Sequence, residues 1–215
     1  VVRFGRVTQR AERVLIVAGG PSAGPLTGIT VPAGVHIIAV NGAADWLPRF
    51  DSWITVDPCR EIRARMRNPR PGATYYAAVP SDYGTPDAAC IDHREPPEPG
   101  IVWLRRLTGF GPLGARAGLS ADPSAIHTGN SAYGALGLAV HMGARRVVLA
   151  GVDGDGRRRI DGGYPRDLGH LPELFASASD ELEWRSCSLR NASPQSVIRA
   201  YQQIDLSVAL WWLAE

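Results

Sequence analysis

Four short segments carry the residue types that do chemistry: Gly19-Gly20-Pro21-Ser22, Asn41-Gly42, Asp57-Pro58 and Gly151-Val152-Asp153. Each follows an apolar run. Gly19 and Gly20 let backbone N–H groups approach a ligand closely, and Ser22 either caps a helix or binds a phosphate oxygen. Asn41 offers a donor and an acceptor to a ribose or base edge, or takes the left-handed position of a turn with Gly42. Asp57 accepts from sugar hydroxyls or caps a helix with Pro58 at its first position.

A fifth element is the block "HTGNSAYGALGLAVHMGARRVVLAGVDGDG", His127 to Gly156. Thr128, Asn130 and Ser131 stand at the expected start of a helix, where unpaired N–H groups favour an anion, or one of them simply caps it. Asp153 and Asp155 either hold a divalent cation beside a diphosphate or are turn residues. Arg157-Arg158-Arg159 is a solvated run or supplies one phosphate ligand. His170 has no histidine or cysteine at ligand spacing, so a general base suits it better than a metal ligand. His36 and His141 fall in a strand and on a core helix and read as structural.

In an open parallel sheet, ligands sit beyond the carboxyl ends of the strands. The elements that would place these segments there are apolar runs at Val14–Ala18, Val35–Val40, Ser52–Val56, Thr74–Ala78, Ile101–Leu104 and Arg146–Gly151, with a weaker one at Glu183–Leu189. Helical stretches between them are Pro58–Arg67, Asn130–Met142, His170–Leu182 and Pro194–Leu213. Continuous apolar runs mark strands buried on both faces, so the expected fold is α/β: a Rossmann-like parallel sheet flanked by helices, with a loop-rich lid. One domain over residues 1–215 is expected, with loop or lid segments at about 80–127 and 154–170.

Composition narrows the chemistry. The chain has 215 residues, 45% hydrophobic and 20% charged, with a formal net charge of +2. It contains no lysine, so every basic residue is arginine. That removes Schiff-base and P-loop lysine mechanisms and makes any side-chain anion site a guanidinium fork. Cys59, Cys90 and Cys187 form no CxxC pair, which argues against a disulfide framework and a zinc site. The apolar runs are too short for a membrane span, and Val14–Val17 is too short for a signal-peptide core, so a cytoplasmic protein is expected.

The stretches "VLIVAGGPSAG", "IIAVNGAADW", "SWITVDP" and "TGNSAYGALGLAVHMGARRVVLAGVD" together resemble the sialyltransferase-like family, which includes small bacterial α-2,3-sialyltransferases and related phage proteins. "GH" at Gly169-His170 and "SLRNASPQS" at Ser188–Ser196 extend the resemblance over Val14 to Tyr201. It implies a metal-independent, inverting glycosyltransferase with no tightly bound cofactor, using a CMP- or UDP-linked sugar. Gly19, Gly20 and Ser22 would line the phosphate and ribose, and Asn41 would bind nucleotide or sugar. Asn130 and Ser131 would receive the phosphate or a sugar carboxylate. Asp57 stands at the donor, Tyr164 would help the phosphate leave, and His170 would deprotonate the acceptor. Asp153 and Ser193 complete the donor site, with Ser193 and Ser196 in the segment that closes over it.

Two departures matter. Gly19 and Asp57 stand where the family carries asparagines. A carboxylate near the donor repels a sialic acid carboxylate, which brings neutral hexoses or pentoses into range. The acceptor would be a glycan or hydroxymethylated DNA bases, the latter tracked by an Arg60, Arg63 and Arg67 stripe. Trp211-Trp212 packs onto the sheet or forms a homo-oligomer contact. The rivals are a Mg²⁺-dependent hydroxymethylpterin diphosphokinase-like enzyme using Asp153 and Asp155, and a non-catalytic nucleotide-binding protein.

Overall fold

The computed structural model describes residues 2–163 and 168–215. Among these, eight strands form one parallel sheet: β1 (Arg13–Val17), β2 (His36–Val40), β3 (Ser52–Thr55), β4 (Thr74–Val79), β5 (Ile101–Leu107), β6 (Ala125–His127), β7 (Arg146–Ala150) and β8 (Ser188–Asn191). The α-helices are α1 (Ala43–Trp46), α2 (Arg60–Arg67), α3 (Ser131–His141), α4 (Leu171–Ala176), α5 (Ser179–Trp184) and α6 (Leu206–Ala214). The expected α/β fold with a Rossmann-like parallel sheet is what the chain adopts.

Strand residues alternate between two cores, one on each face of the sheet. Val14, Ile16, Ile38 and Ile54 share one core with residues of α3, α4 and α5. Leu15, Val17, Ile37 and Trp53 share the other with α1, α2 and α6. Burial on both faces is why these strands read as unbroken apolar runs rather than alternating ones.

The spatial order is β6-β5-β4-β3-β2-β1-β7-β8. The chain therefore steps outward from β1 to β6, and α3 carries it back to lay β7 on the other side of β1. That reversal creates a crevice between the carboxyl ends of β1 and β7. The return demands a helix pressed against the sheet: a Cβ on Gly134 would lie 2.6 Å from Val56 Cγ1. Gly143, at φ +85°, ends the return with a left-handed turn.

Local chemistry moves several boundaries. Helix α2 begins at Arg60 with Cys59 as its N-cap, so Asp57 does not cap it. The expected helix over Pro194–Leu213 is real only at Leu206–Ala214. Upstream, Ser196 Oγ donates to Val152 O at 2.7 Å and accepts from Ile198 N–H, so local side-chain bonds replace a helical ladder. The expected helix over His170–Leu182 divides at Ser177, whose hydroxyl donates back to Leu174 O. The weak run at Glu183–Leu189 forms its strand later, at Ser188–Asn191. Strand β6 lies inside what reads as loop, because three residues are too few to show a pattern.

The segment 80–100 is packed down rather than arched over the sheet. Tyr83 and His93 in it are buried. Arg63, only 2% exposed, fixes it by donating to Tyr83 Oη, Pro96 O and Glu98 Oε1. Arg67 pairs with Glu95 and Glu98. The arginines at 63 and 67 therefore hold this loop and do not form an open phosphate track. At the carboxyl terminus, Trp212 is buried beneath the guanidinium of Arg190, while Trp211 is exposed. Among the described residues, no helix is long and apolar enough to cross a membrane.

Candidate functional site

A cleft of about 680 Å³ opens along the carboxyl edge of the sheet. Gly19, Gly20, Asn41, Asp57 and Asp153 all line it, so the four strand-end segments converge on one space. Asn130 and Ser131, at the start of α3, line it as well. Ser22, Ser193 and His170 stand outside its lining.

The β1 and β7 ends are locked together by a buried polar cluster. Asp153, 3% exposed, accepts from Ser22 N–H at 3.0 Å through Oδ2, and Ser22 Oγ donates to Oδ1. Ser22 Oγ and Ser193 Oγ lie 2.8 Å apart, and Gly151 N–H reaches both hydroxyls at 3.1 Å. Asn191 Oδ1 accepts from Ser193 N–H, which ties the end of β8 to the same cluster. Three residues expected to meet a ligand thus join three strand ends. The turn above must come close: a Cβ on Gly20 would sit 2.5 Å from Gly151 O and 2.7 Å from Asp153 Oδ2.

Asn41 does two jobs at the end of β2. It occupies the left-handed region at φ 49°, which asparagine tolerates better than most residues. Its Nδ2 donates to Ser131 Oγ at 3.0 Å, while its Oδ1 is shut off from solvent without a partner among the described residues. Asn130 caps α3, its Oδ1 accepting from Ala132 N–H at 2.8 Å and Tyr133 N–H at 3.4 Å. The cap and the Asn41–Ser131 bond place the positive end of α3 beside the ends of β2 and β3.

Charge in the cleft is uneven. Asp155 pairs with Arg157, and Asp161 pairs with Arg159 at 3.1 Å. Asp57 and Glu61 are exposed on the lining and enter no ion pair among the described residues. Carboxylates left open in this way suit sugar hydroxyls better than a second anion. No group of three or more His, Cys, Asp or Glu among the described residues could hold a metal ion.

His170 precedes α4 and is half-buried. Its Nε2 lies 2.8 Å from Gly129 O, and Gly129 lines the cleft. A carbonyl only accepts, so Nε2 carries a proton and the lone pair of the neutral ring lies on Nδ1. Its sequence neighbours Leu168 and Leu171 belong to the lining. Tyr164 lies outside the described residues.

Sequence reasoning missed Arg106. It leaves β5 beneath the cleft, and its Nη1 donates to Val56 O at 3.0 Å. Its Nε is buried without a partner, and no carboxylate lies within ion-pair distance among the described residues. The only available signal was a charged pair, Arg105-Arg106, closing an apolar strand.

The fold and this cleft define a doubly wound α/β protein with a crevice at its switch point. No family model, no curated protein and no solved structure matches the chain.

Proposed function

We propose that this cleft binds a nucleotide-activated sugar and transfers the sugar to an acceptor hydroxyl, without a metal and with inversion. The observation that carries this reading is the convergence of the Gly19-Gly20 turn, Asn41, Asp57 and the α3 N-terminus on one crevice. The turn and helix end suit phosphate, Asn41 suits a ribose or base edge, and Asp57 suits sugar hydroxyls.

In this reading the acceptor oxygen attacks the anomeric carbon as its proton passes to His170 Nδ1. The bond from the anomeric carbon to the phosphate oxygen breaks, and its electron pair leaves with the nucleotide. Tyr164 would protonate or hydrogen-bond that leaving phosphate. Base catalysis of this kind contributes roughly 10²–10⁴-fold. The open carboxylates of Asp57 and Glu61 favour a neutral sugar over a sialic acid. A glycan acceptor is favoured over DNA, since Arg63 is buried and Arg67 is paired.

The diphosphokinase-like reading loses its strongest support. Asp153 accepts from Ser22 and Asp155 pairs with Arg157, so Mg²⁺ would have to compete with partners already in place. One observation favours nucleotide binding without transfer: His170 is outside the cleft lining.

The test is a thermal-shift panel of CMP, UDP, GDP and ATP with and without Mg²⁺, on wild type and Asn41→Ala, followed by donor-sugar hydrolysis. A metal-independent shift with CMP or UDP, lost in Asn41→Ala, supports the reading. A shift only with ATP and Mg²⁺ transfers it to the diphosphokinase. Nucleotide binding with no donor hydrolysis above background leaves a binding protein, and hydrolysis unaffected by His170→Ala removes His170 as the base.

A further inference from the structure

The cleft holds a guanidinium with almost nothing to bind. Arg106 carries five N–H donors, and among the described residues one acceptor is recorded for them, Val56 O. The other arginines of the lining differ: Arg157 pairs with Asp155 and Arg159 with Asp161. Arg106 Nε is closed off from solvent without a partner among the described residues, so an acceptor in the cleft meets the remaining guanidinium N–H groups.

Its position adds a second, independent argument. The Nη1 bond to Val56 O carries the side chain from β5 across the end of β4 to the end of β3. Val56 is also the residue against which the first turn of α3 packs, through Gly134. Arg106 and the N-terminus of α3 therefore meet at one residue, with the cleft above both. A full cation and a helix N-terminus on one wall raise the local potential for an anion.

We infer that Arg106 is an anion-anchoring residue of this cleft, holding a phosphate or carboxylate oxygen of the ligand against the start of α3. The inference rests in part on the nucleotide-sugar reading, within which that oxyanion is the leaving phosphate. Asp57, one residue beyond Val56, then bounds the site and keeps a second anion from settling beside it. With no lysine in the chain, a guanidinium is the one permanent side-chain cation available for this role.

The test is calorimetric titration at low ionic strength with CMP, UDP, cytidine, uridine, inorganic phosphate and acetate. Wild type, Arg106→Gln and Arg106→Lys are compared, with folding checked by circular dichroism. The expected result is that the nucleotides bind wild type roughly 10- to 100-fold more tightly than the nucleosides. That advantage disappears in Arg106→Gln and is partly restored in Arg106→Lys. Phosphate binding without acetate binding identifies phosphate as the oxyanion, and the reverse identifies carboxylate.

Should Arg106→Gln fail to fold, Arg106→Lys takes its place: a weakened nucleotide advantage at unchanged nucleoside affinity supports the anchor, and an unchanged advantage overturns it. Equal affinity for nucleotide and nucleoside, with neither phosphate nor acetate bound, overturns the assignment while leaving a nucleoside site. An undiminished nucleotide advantage in a folded Arg106→Gln also overturns it. Arg106-dependent phosphate or acetate binding with no nucleoside binding keeps the anchor and rejects the nucleotide-sugar reading.

Discussion

The N–H and hydroxyl of Ser22 grip both carboxylate oxygens of Asp153 across 131 positions of sequence. This pair spans the line where the chain reverses direction in the sheet, between β1 and β7. Asp153→Ala strips the acceptor from the half-buried Ser22 N–H and leaves the Ser22 hydroxyl with Ser193 Oγ alone. One orphaned group costs about 1–3 kcal/mol, and a loss of that size is expected in urea unfolding. Wild-type Tm should be unmoved by millimolar Mg²⁺ or by EDTA. A Mg²⁺-dependent rise in Tm that Asp153→Ala abolishes would show the carboxylate to be a metal ligand instead.

Gly20 and Gly24 make a controlled pair. Both lie in or next to the 3-10 turn after β1, and neither has a positive φ. A Cβ on Gly20 collides with Gly151 O and Asp153, whereas one on Gly24 meets nothing within 4 Å. Gly20→Ala should therefore cost about 1–3 kcal/mol through overpacking. Gly24→Ala should be neutral or slightly stabilising, because it restricts the unfolded chain. Equal thermal stabilities for the two variants would remove steric closeness as the reason for Gly20.

These glycines show how much of the site was readable in the chain. The strand-end segments were legible because two-sided burial writes unbroken apolar runs, and each run stops where the backbone reaches the crevice. What each residue does there was not legible. Ser22 and Ser193 read as ligand contacts, yet hydrogen bonds to partners over a hundred positions away or on another strand absorb them. Arg106 left no periodic trace, since its role depends on Val56 lying two strands away in space. The region before α6 misled for a related reason: Ser196 Oγ takes the Ile198 N–H that a helical ladder would use.

Arg63 fixes the 80–100 loop from within the protein. It bonds Tyr83, Pro96 and Glu98 while only 2% exposed. Burial works to raise the Glu98 pKa, but hydrogen bonds from Arg63 and Arg67 outweigh it and hold it below the ordinary glutamate value. Arg63→Met leaves the buried Tyr83 hydroxyl without its donor and Glu98 with Arg67 alone, for an expected loss of about 1–3 kcal/mol. The 80–100 loop should then become the first site of limited proteolysis. Unchanged cleavage kinetics there would mean that the loop is held by Tyr83 packing on Trp103 rather than by the arginine.

Acid should weaken the fold through its buried histidines before it titrates its carboxylates. His93 and His141 are 4% and 9% exposed. Burial pushes the pKa of both below 6.5; nearby Arg106 adds to this for His93, and the bond to Ala125 O opposes it for His141. His141 Nε2 lies 3.0 Å from that carbonyl, so Nε2 is the protonated nitrogen of a neutral ring. Because the folded pKa lies below the unfolded one, the unfolded chain binds protons first as pH falls. The stabilisation is therefore complete above about pH 6.5 and declines on acidification toward the lower, folded pKa. His141 alone contributes a slope of at most about 1.4 kcal/mol per pH unit in that window. Scanning calorimetry from pH 8 to pH 5 should show a nearly constant Tm down to about 7 and a fall below about 6.5. His141→Gln, whose amide keeps a donor for Ala125 O, should flatten that fall. A Tm that is constant or rising between pH 7 and pH 5.5 would mean these rings carry no linked protons, and the variant would then change nothing.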